Sequence, residues 1–176
     1  MTIKLKNVRL SFPSLFQTSS FGGQDTGKYD ATFILDKVEH AAVIKEIQTE
    51  MTRLCKEELK SKLLPADKLC LKDGDDTERD ELQGKWQLKA STKKRPLVIN
   101  RDKTPIVEDD NIIYAGAYVH AIVNLWVQQN EWGRRINAQL EGVQFHKDGE
   151  PFGSSGIDVN EFDAFSDGDD SEEAPF

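Results

Sequence analysis

Polar and apolar residues alternate along most of this chain, and the alternation slips at definable points. "IKLKNVRLSF" (Ile3 to Phe12) places Ile3 and Leu5 in one phase and Val8, Leu10 and Phe12 in the other, which predicts a strand with a bulge near Lys6-Asn7. A loop rich in Ser and Gly follows, to Gly27. "KYDATFIL" then resumes strand alternation through Tyr29, Ala31, Phe33 and Leu35. The period changes at Asp36, which stands at capping-box distance from Glu39 and predicts a helix opening there. Val43, Ile47, Met51, Leu54 and Leu59 continue at helical spacing, with Lys and Glu between them, as a core-packing stripe. "KDGDDTERDE" (Lys72 to Glu81) reads as a solvated acidic loop. "KWQLKAS" and "PLVIN" read as short strands joined by a basic segment.

The strongest pattern is "AYVHAIVNLWVQQNEWGRRINAQLEGVQF". Ala117, Val119, Ala121, Val123, Leu125 and Val127 form one apolar face, and "NEWG" reads as a turn. If Gln129 pairs with Arg134, then Val127 faces Ile136, Leu125 faces Ala138 and Val123 faces Leu140. The apolar faces then match without adjustment, because a slip of one residue would turn every side chain over. The opposite face carries Tyr118, Trp126, Arg135, Asn137 and Gln139. About five strands, mostly antiparallel, with one major helix and long loops, predict a mainly β fold built as a small barrel. The domain is expected over residues 1–150. Residues 151–176, beginning "PFGSSG", have the composition of a linker and tail.

Charge divides the chain in the same way. The formal net charge is -8, yet Asp158 to Phe176 holds eight acids and no base, which leaves 23 acids against 23 Lys and Arg upstream. The body is formally neutral and the net charge belongs to the tail. Cys55 and Cys70 are too far apart for a Cys-x-x-Cys motif and read as reduced thiols. "MTIKLKNVRL" has no signal-peptide core, and no apolar run approaches the ~20 residues of a membrane span. The expectation is a soluble, cytoplasmic protein with no membrane contact.

Catalytic motifs are scarce. "GGQDTGKY" (Gly22 to Tyr29) nearly matches a phosphate-binding loop, but Tyr29 stands where the Mg²⁺-binding hydroxyl belongs and a strand is predicted next. Without a following helix N-terminus there is no phosphate cradle, so the stretch reads as a hairpin loop. His40, His120 and His146 are scattered, with no second ligand at metal spacing; His120, on the polar face with Tyr118, reads as a surface histidine. No nucleophile motif appears, and the carboxylates lie in solvated loops and the tail. No catalytic residue, metal or cofactor is expected. Basic residues are better organised. From Gln83 to Lys103 the chain carries Lys85, Lys89, Lys93, Lys94, Arg95, Arg101 and Lys103 against Asp102 alone, with Trp86 among them. Arg134 and Arg135 follow Trp132. Single-stranded nucleic acid needs rings for stacking and cations for phosphates. Trp86, Lys89, Lys93, Lys94, Arg95, Tyr118, Trp126, Arg134 and Arg135 are therefore the candidate contacts.

The tail, "SDGDDSEEAPF", ends in a large apolar residue. An antiparallel barrel with basic and aromatic surfaces, followed by such a tail, resembles the single-stranded DNA-binding proteins of replication. Bacterial members end in several Asp followed by Ile-Pro-Phe; here Asp169, Asp170, Glu172 and Glu173 precede Ala174, Pro175 and Phe176. T7-like phage proteins also end in an acidic stretch and a terminal Phe. From "KLKNVRLSFPSLF" through "YDATFIL" to "GVQF", the whole chain looks like a phage family of such proteins. The resemblance implies an OB-fold, a phage origin and hence the host cytoplasm, and coating of single-stranded DNA in replication, recombination or repair. It also implies that the tail, through Asp167, Asp169, Asp170, Glu172, Glu173, Pro175 and Phe176, addresses replication or recombination proteins. Competition with DNA for the basic groove follows from the tail's charge. Two rivals are an acidic interaction module, acting as a DNA mimic or host inhibitor, and a Mg²⁺-dependent nuclease. Oligomeric state is not readable from the residues.

Overall fold

The computed structural model describes residues 2–76, 82–110, 112–131 and 133–151. Nine strands and one α-helix organise the described residues, in the order β1 (Thr2–Ser14), β2 (Ser20–Phe21), β3 (Gln24–Asp25), β4 (Tyr29–Asp36), α1 (Ala41–Glu57), β5 (Leu71–Asp73), β6 (Lys85–Thr92), β7 (Leu97–Ile99), β8 (Tyr118–Asn130) and β9 (Gly133–Lys147). The main sheet runs β5-β6-β4-β1-β8-β9-β7, and β6 also lies parallel to β9, with Ala90 opposite Ala138. That pairing closes the sheet. Strands β1, β4, β6, β8 and β9 form a barrel in which the fourth strand lies beside the first and the fifth returns to the third. The architecture is the OB-fold, a five-stranded Greek-key barrel.

The hairpin register follows the hydrophobic pattern to the residue. Gln129 pairs with Arg134, Val127 with Ile136, Leu125 with Ala138 and Val123 with Leu140. Inward side chains of all five barrel strands, among them Ile3, Leu10, Phe33, Leu88, Val123 and Leu140, are fully or almost fully buried. Ile44, Ile47, Met51, Leu54 and Cys55 of α1 join this core, where the helix packs against β1, β8 and β9. Cys55 and Cys70 are free and buried, and burial pushes the Cys70 thiol up to about 12.

The predicted bulge in β1 lies where its pairing with β8 shifts between Leu5 and Val8, and Asn7 has φ 55°. Three hydrogen bonds, from β8 and from the β4–α1 turn, hold it. Asn7 N–H donates to His120 Nδ1 at 3.0 Å, Asn7 Nδ2 donates to Glu39 Oε1 at 2.7 Å, and His40 Nε2 lies 3.1 Å from the Lys6 carbonyl. His40 Nδ1 accepts the Asp36 N–H at 2.8 Å, so the ring proton sits on Nε2 and is shared between that carbonyl and the Asn7 carbonyl, 3.0 Å away.

Three expectations need correction. Phe12 does not share the inward phase of Val8 and Leu10: β1 shifts register again between Ser11 and Ser14, Phe12 has φ 46°, and its side chain is 61% exposed. The helix begins at Ala41, not Asp36. Asp36 Oδ1 accepts the N–H groups of Val38 and Glu39 at 2.8 and 3.0 Å, which caps a separate turn, and His40 precedes the helix without a side-chain cap. The acidic stretch from Lys72 is not all loop. Lys72 and Asp73 belong to β5, Lys37 bridges Asp73 and Asp75, and residues 77–81 lie outside the described part.

Candidate nucleic-acid interface

Barrel closure brings three distant pieces of chain to one place. The β1–β4 connection carries the small β2–β3 hairpin, turning at Gly22-Gly23, and ends at Lys28. The exit of β6 carries Ser91 to Lys94, and β8–β9 reaches past the barrel as a long hairpin. Between them lies a groove of about 830 Å³, lined by Lys28, Lys93, Lys94, Trp126, Gln128 and Gln139 among others. No carboxylate lines it among the described residues. In OB-folds the face of the second and third strands, flanked by the first-to-second and fourth-to-fifth connections, takes up oligonucleotides. This groove lies at the junction of those same elements.

Trp126 stands on the outward phase of β8, opposite Asn137, and is 43% exposed. Gln128 and Arg135 form the next pair on that face. Lys89 is exposed on the outward phase of β6, two residues before Ser91 of the groove lining. The Arg95 guanidinium lies 6.0 Å from the Phe16 ring centroid, so the loop after β6 is held against the β1–β4 connection. Lys93, Lys94 and Trp126 thus line one surface, with Lys89, Arg95 and Arg135 beside it.

Three candidates are not brought there. Trp86 occupies the inward phase of β6 with Leu88 and Ala90, packs half-buried on the core, and has the Lys37 ammonium 5.5 Å from its ring centroid. It stands four residues along β6 from Ala90, roughly 13 Å from the closing seam. Tyr118 begins β8, eight residues from Trp126, with Arg9 and Lys147 against its ring at 5.8 and 5.0 Å. Arg134 faces the other side of the hairpin, where Nη1 donates to the Leu59 carbonyl at 3.4 Å. The basic run also splits. Lys85 is paired with Asp36 at 2.7 Å; that contact, with the Glu39 and Val38 amides, holds the Asp36 carboxyl well below the usual carboxylate range. Arg101 and Lys103 lie past β7, where the Arg101 carbonyl accepts from Gln144, and neither lines the groove.

Lys28 has no charge cluster around it in sequence, and its neighbours resemble only a phosphate loop. Gln128 and Gln139 carry no charge to announce them. Their placement depends on the parallel pairing of β6 and β9, which joins strands 48 residues apart at Ala90 and Ala138. Trp132 and the acidic stretch Asp167 to Phe176 lie outside the described residues. The histidines are not all scattered. His120 and His146 stack with ring centroids 4.5 Å apart, and burial, then His146 and Lys6, lower the His120 pKa. Among the described residues no three His, Cys, Asp or Glu side chains gather as a metal site.

The family model described as "Enterobacter phage Enc34, ssDNA-binding protein" matches residues 1–175. The chain belongs to that family. Protein p50 of Acyrthosiphon pisum secondary endosymbiont phage 1 is 38% identical over 176 residues, covering 94% of this chain and 95% of its own. The single-stranded DNA-binding protein of bacteriophage Enc34, solved in complex with single-stranded DNA, is 34% identical with a TM-score of 0.77, covering 86% of this chain and 89% of that one. The T7 protein gp2.5, also a single-stranded DNA-binding protein, shares the fold at a TM-score of 0.55 and 12% identity, over 89% of this chain and 97% of that one. Family membership agrees with the resemblance carried by the opening strands and the acidic tail.

Proposed function

We propose that this chain coats single-stranded DNA in phage DNA replication, recombination or repair, holding the strand in the Trp126 groove. The observation that carries this reading is an exposed indole beside Lys28, Lys93 and Lys94 in a groove that no carboxylate lines among the described residues, at the OB-fold's oligonucleotide-binding junction. The solved Enc34 relative in complex with single-stranded DNA supports it. The indole stacks on a base, worth ~1–3 kcal/mol, while the lysines follow the phosphates without reading sequence. Lys89, Arg95 and Arg135 extend the cationic track on both sides. Coating a strand makes and breaks no covalent bond, and in this role the protein acts as a binder.

The tail has a second part to play. Its acids, joined to the body through Gly153 to Gly156, are a tethered polyanion that competes for the groove and is released when DNA arrives. Released, its acids and Phe176 address replication or recombination proteins through a basic rim and an apolar pocket.

A mobility-shift assay with short oligo-dT, with and without Mg²⁺, tests the reading against its rivals. Retarded, intact oligonucleotide is expected in both conditions. Degradation with Mg²⁺ would identify a nuclease, and absence of binding would favour an acidic interaction module.

A further inference from the structure

A second concavity lies on the outer barrel face, away from the groove just described. It measures about 400 Å³ and is lined by Leu97 and Ile99 of β7, Ile122 of β8, Val143 of β9, and Lys4 and Lys6 of β1. Leu97 is 62% exposed and Ile122 39%, so apolar surface is open to solvent. Among the described residues its lining has no carboxylate and no aromatic ring except the His120 imidazole. Bases need broad rings to stack on, and this surface is aliphatic. Its complement is a segment of large apolar side chains interspersed with acids.

Such a segment lies just past the last described residue. In "IDVNEFDAF" Ile157, Val159, Phe162 and Phe165 are apolar, Asp158, Glu161 and Asp163 are acidic, and no base interrupts them. The chain is already on the correct face when it leaves β9. Gly149 packs over the Tyr118 ring, where an added Cβ would lie 2.8 Å from the ring edge, and the Glu150 carbonyl accepts from Arg9 Nη2. Tyr118 and Ile122 share the outward phase of β8, four residues or roughly 13 Å apart. Six residues from Pro151 to Ile157 span up to ~20 Å, which covers that distance.

We propose that residues 157–165 of this chain dock in this groove, with Phe162 and Phe165 against Leu97 and Ile122 and the acids toward Lys4 and Lys6. The occupant is the protein's own segment. Docking divides the acidic region into a proximal part held on the barrel and a distal part, Ser166 to Phe176, left to reach DNA or a partner. The docking itself does not depend on where DNA binds.

Methyl NMR of the full chain tests it. Phe162→Ser/Phe165→Ser is expected to shift the Ile99, Ile122 and Val143 methyl resonances, through lost ring currents, and to leave the Ile44 methyl of α1 unmoved. In a second measurement, a glutamate-specific protease should cut after Glu161 on the order of tenfold faster in Leu97→Glu/Ile122→Glu than in the native chain. Unmoved groove methyls, or equal cleavage rates with the variant folded, would overturn the proposal. Shifts that grow with protein concentration would place a second copy's segment in the groove and overturn the assignment to the same chain. Loss of oligo-dT binding in a folded Leu97→Glu/Ile122→Glu variant would make the groove a DNA surface and also overturn it. If that variant fails to fold, the Phe162/Phe165 comparison decides alone.

Discussion

At Trp126 the indole points outward beside lysines; at Trp86 it points inward, with an ammonium over its ring. The two should therefore respond differently to the same substitution. Trp126→Ala is expected to weaken oligo-dT binding by ~1–3 kcal/mol and to remove most of the fluorescence quenching, while leaving the melting temperature nearly unchanged. Trp86→Ala is expected to lower the melting temperature and leave affinity close to native, because it removes a packed core neighbour. Equal affinity losses in both would move the strand off the Trp126 surface. His120 gives a second test at this scale. Its Nδ1 accepts the Asn7 N–H, and burial, then His146 and Lys6, hold its pKa below the ordinary 6.5. Between the folded and unfolded values the unfolded chain binds more protons, so stability rises with pH there. The contribution is complete above the ordinary value and is lost as pH falls through the folded one. Urea midpoints measured from about pH 5 to 7 should rise, and His120→Gln should flatten that rise.

Among the elements, the loop after β6 offers the most direct electrostatic measurement. Lys93 and Lys94 line the groove and Arg95 pins the loop against Phe16. Replacing all three with Ala should flatten the plot of log affinity against log salt by up to ~0.7 per lost phosphate contact, about two units in total. An unchanged slope would exclude this loop from the interface. The hairpin and the loop also mark what the sequence could reveal. Pairing Val127 with Ile136 needs only neighbouring residues and a period of two, so the β8–β9 register was legible to the residue. The bulge at Asn7 was legible because the apolar phase changes across it. Phe12 misled because its positive φ re-aims a side chain that alternation alone places inside. Asp36 misled because the same carboxylate hydrogen bonds cap an isolated turn as readily as a helix. The candidate groove was legible in kind, basic residues with exposed aromatics, and in part in the residues that the fold brings together, such as Lys93, Lys94 and Trp126. Trp86, Tyr118 and Arg134 separate from Trp126 through strand phase and position, which local spacing does not reveal once several strands close on one another.

Across the whole molecule, charge and topology act over longer distances. The body is formally neutral and the net charge of -8 is carried by the eight acids after Ile157. Deleting Ser166 to Phe176 should tighten binding to single-stranded DNA, most at low salt, where a tethered polyanion competes best. Titrations of both chains at two salt concentrations check this; equal low-salt affinity would remove the competition. The barrel has a different long-range consequence. Thr2 pairs with Asn124, so β1 gains its second neighbour only after more than a hundred further residues exist. At ~5–20 residues per second, the ribosome takes roughly 6–25 s to make that stretch. Throughout that interval the flank of β1 that pairs with β8 stays uncovered. A nascent chain in that condition can pair with another on the same message, and a trigger-type chaperone covering residues 2–36 would raise the yield of barrel without altering its final stability.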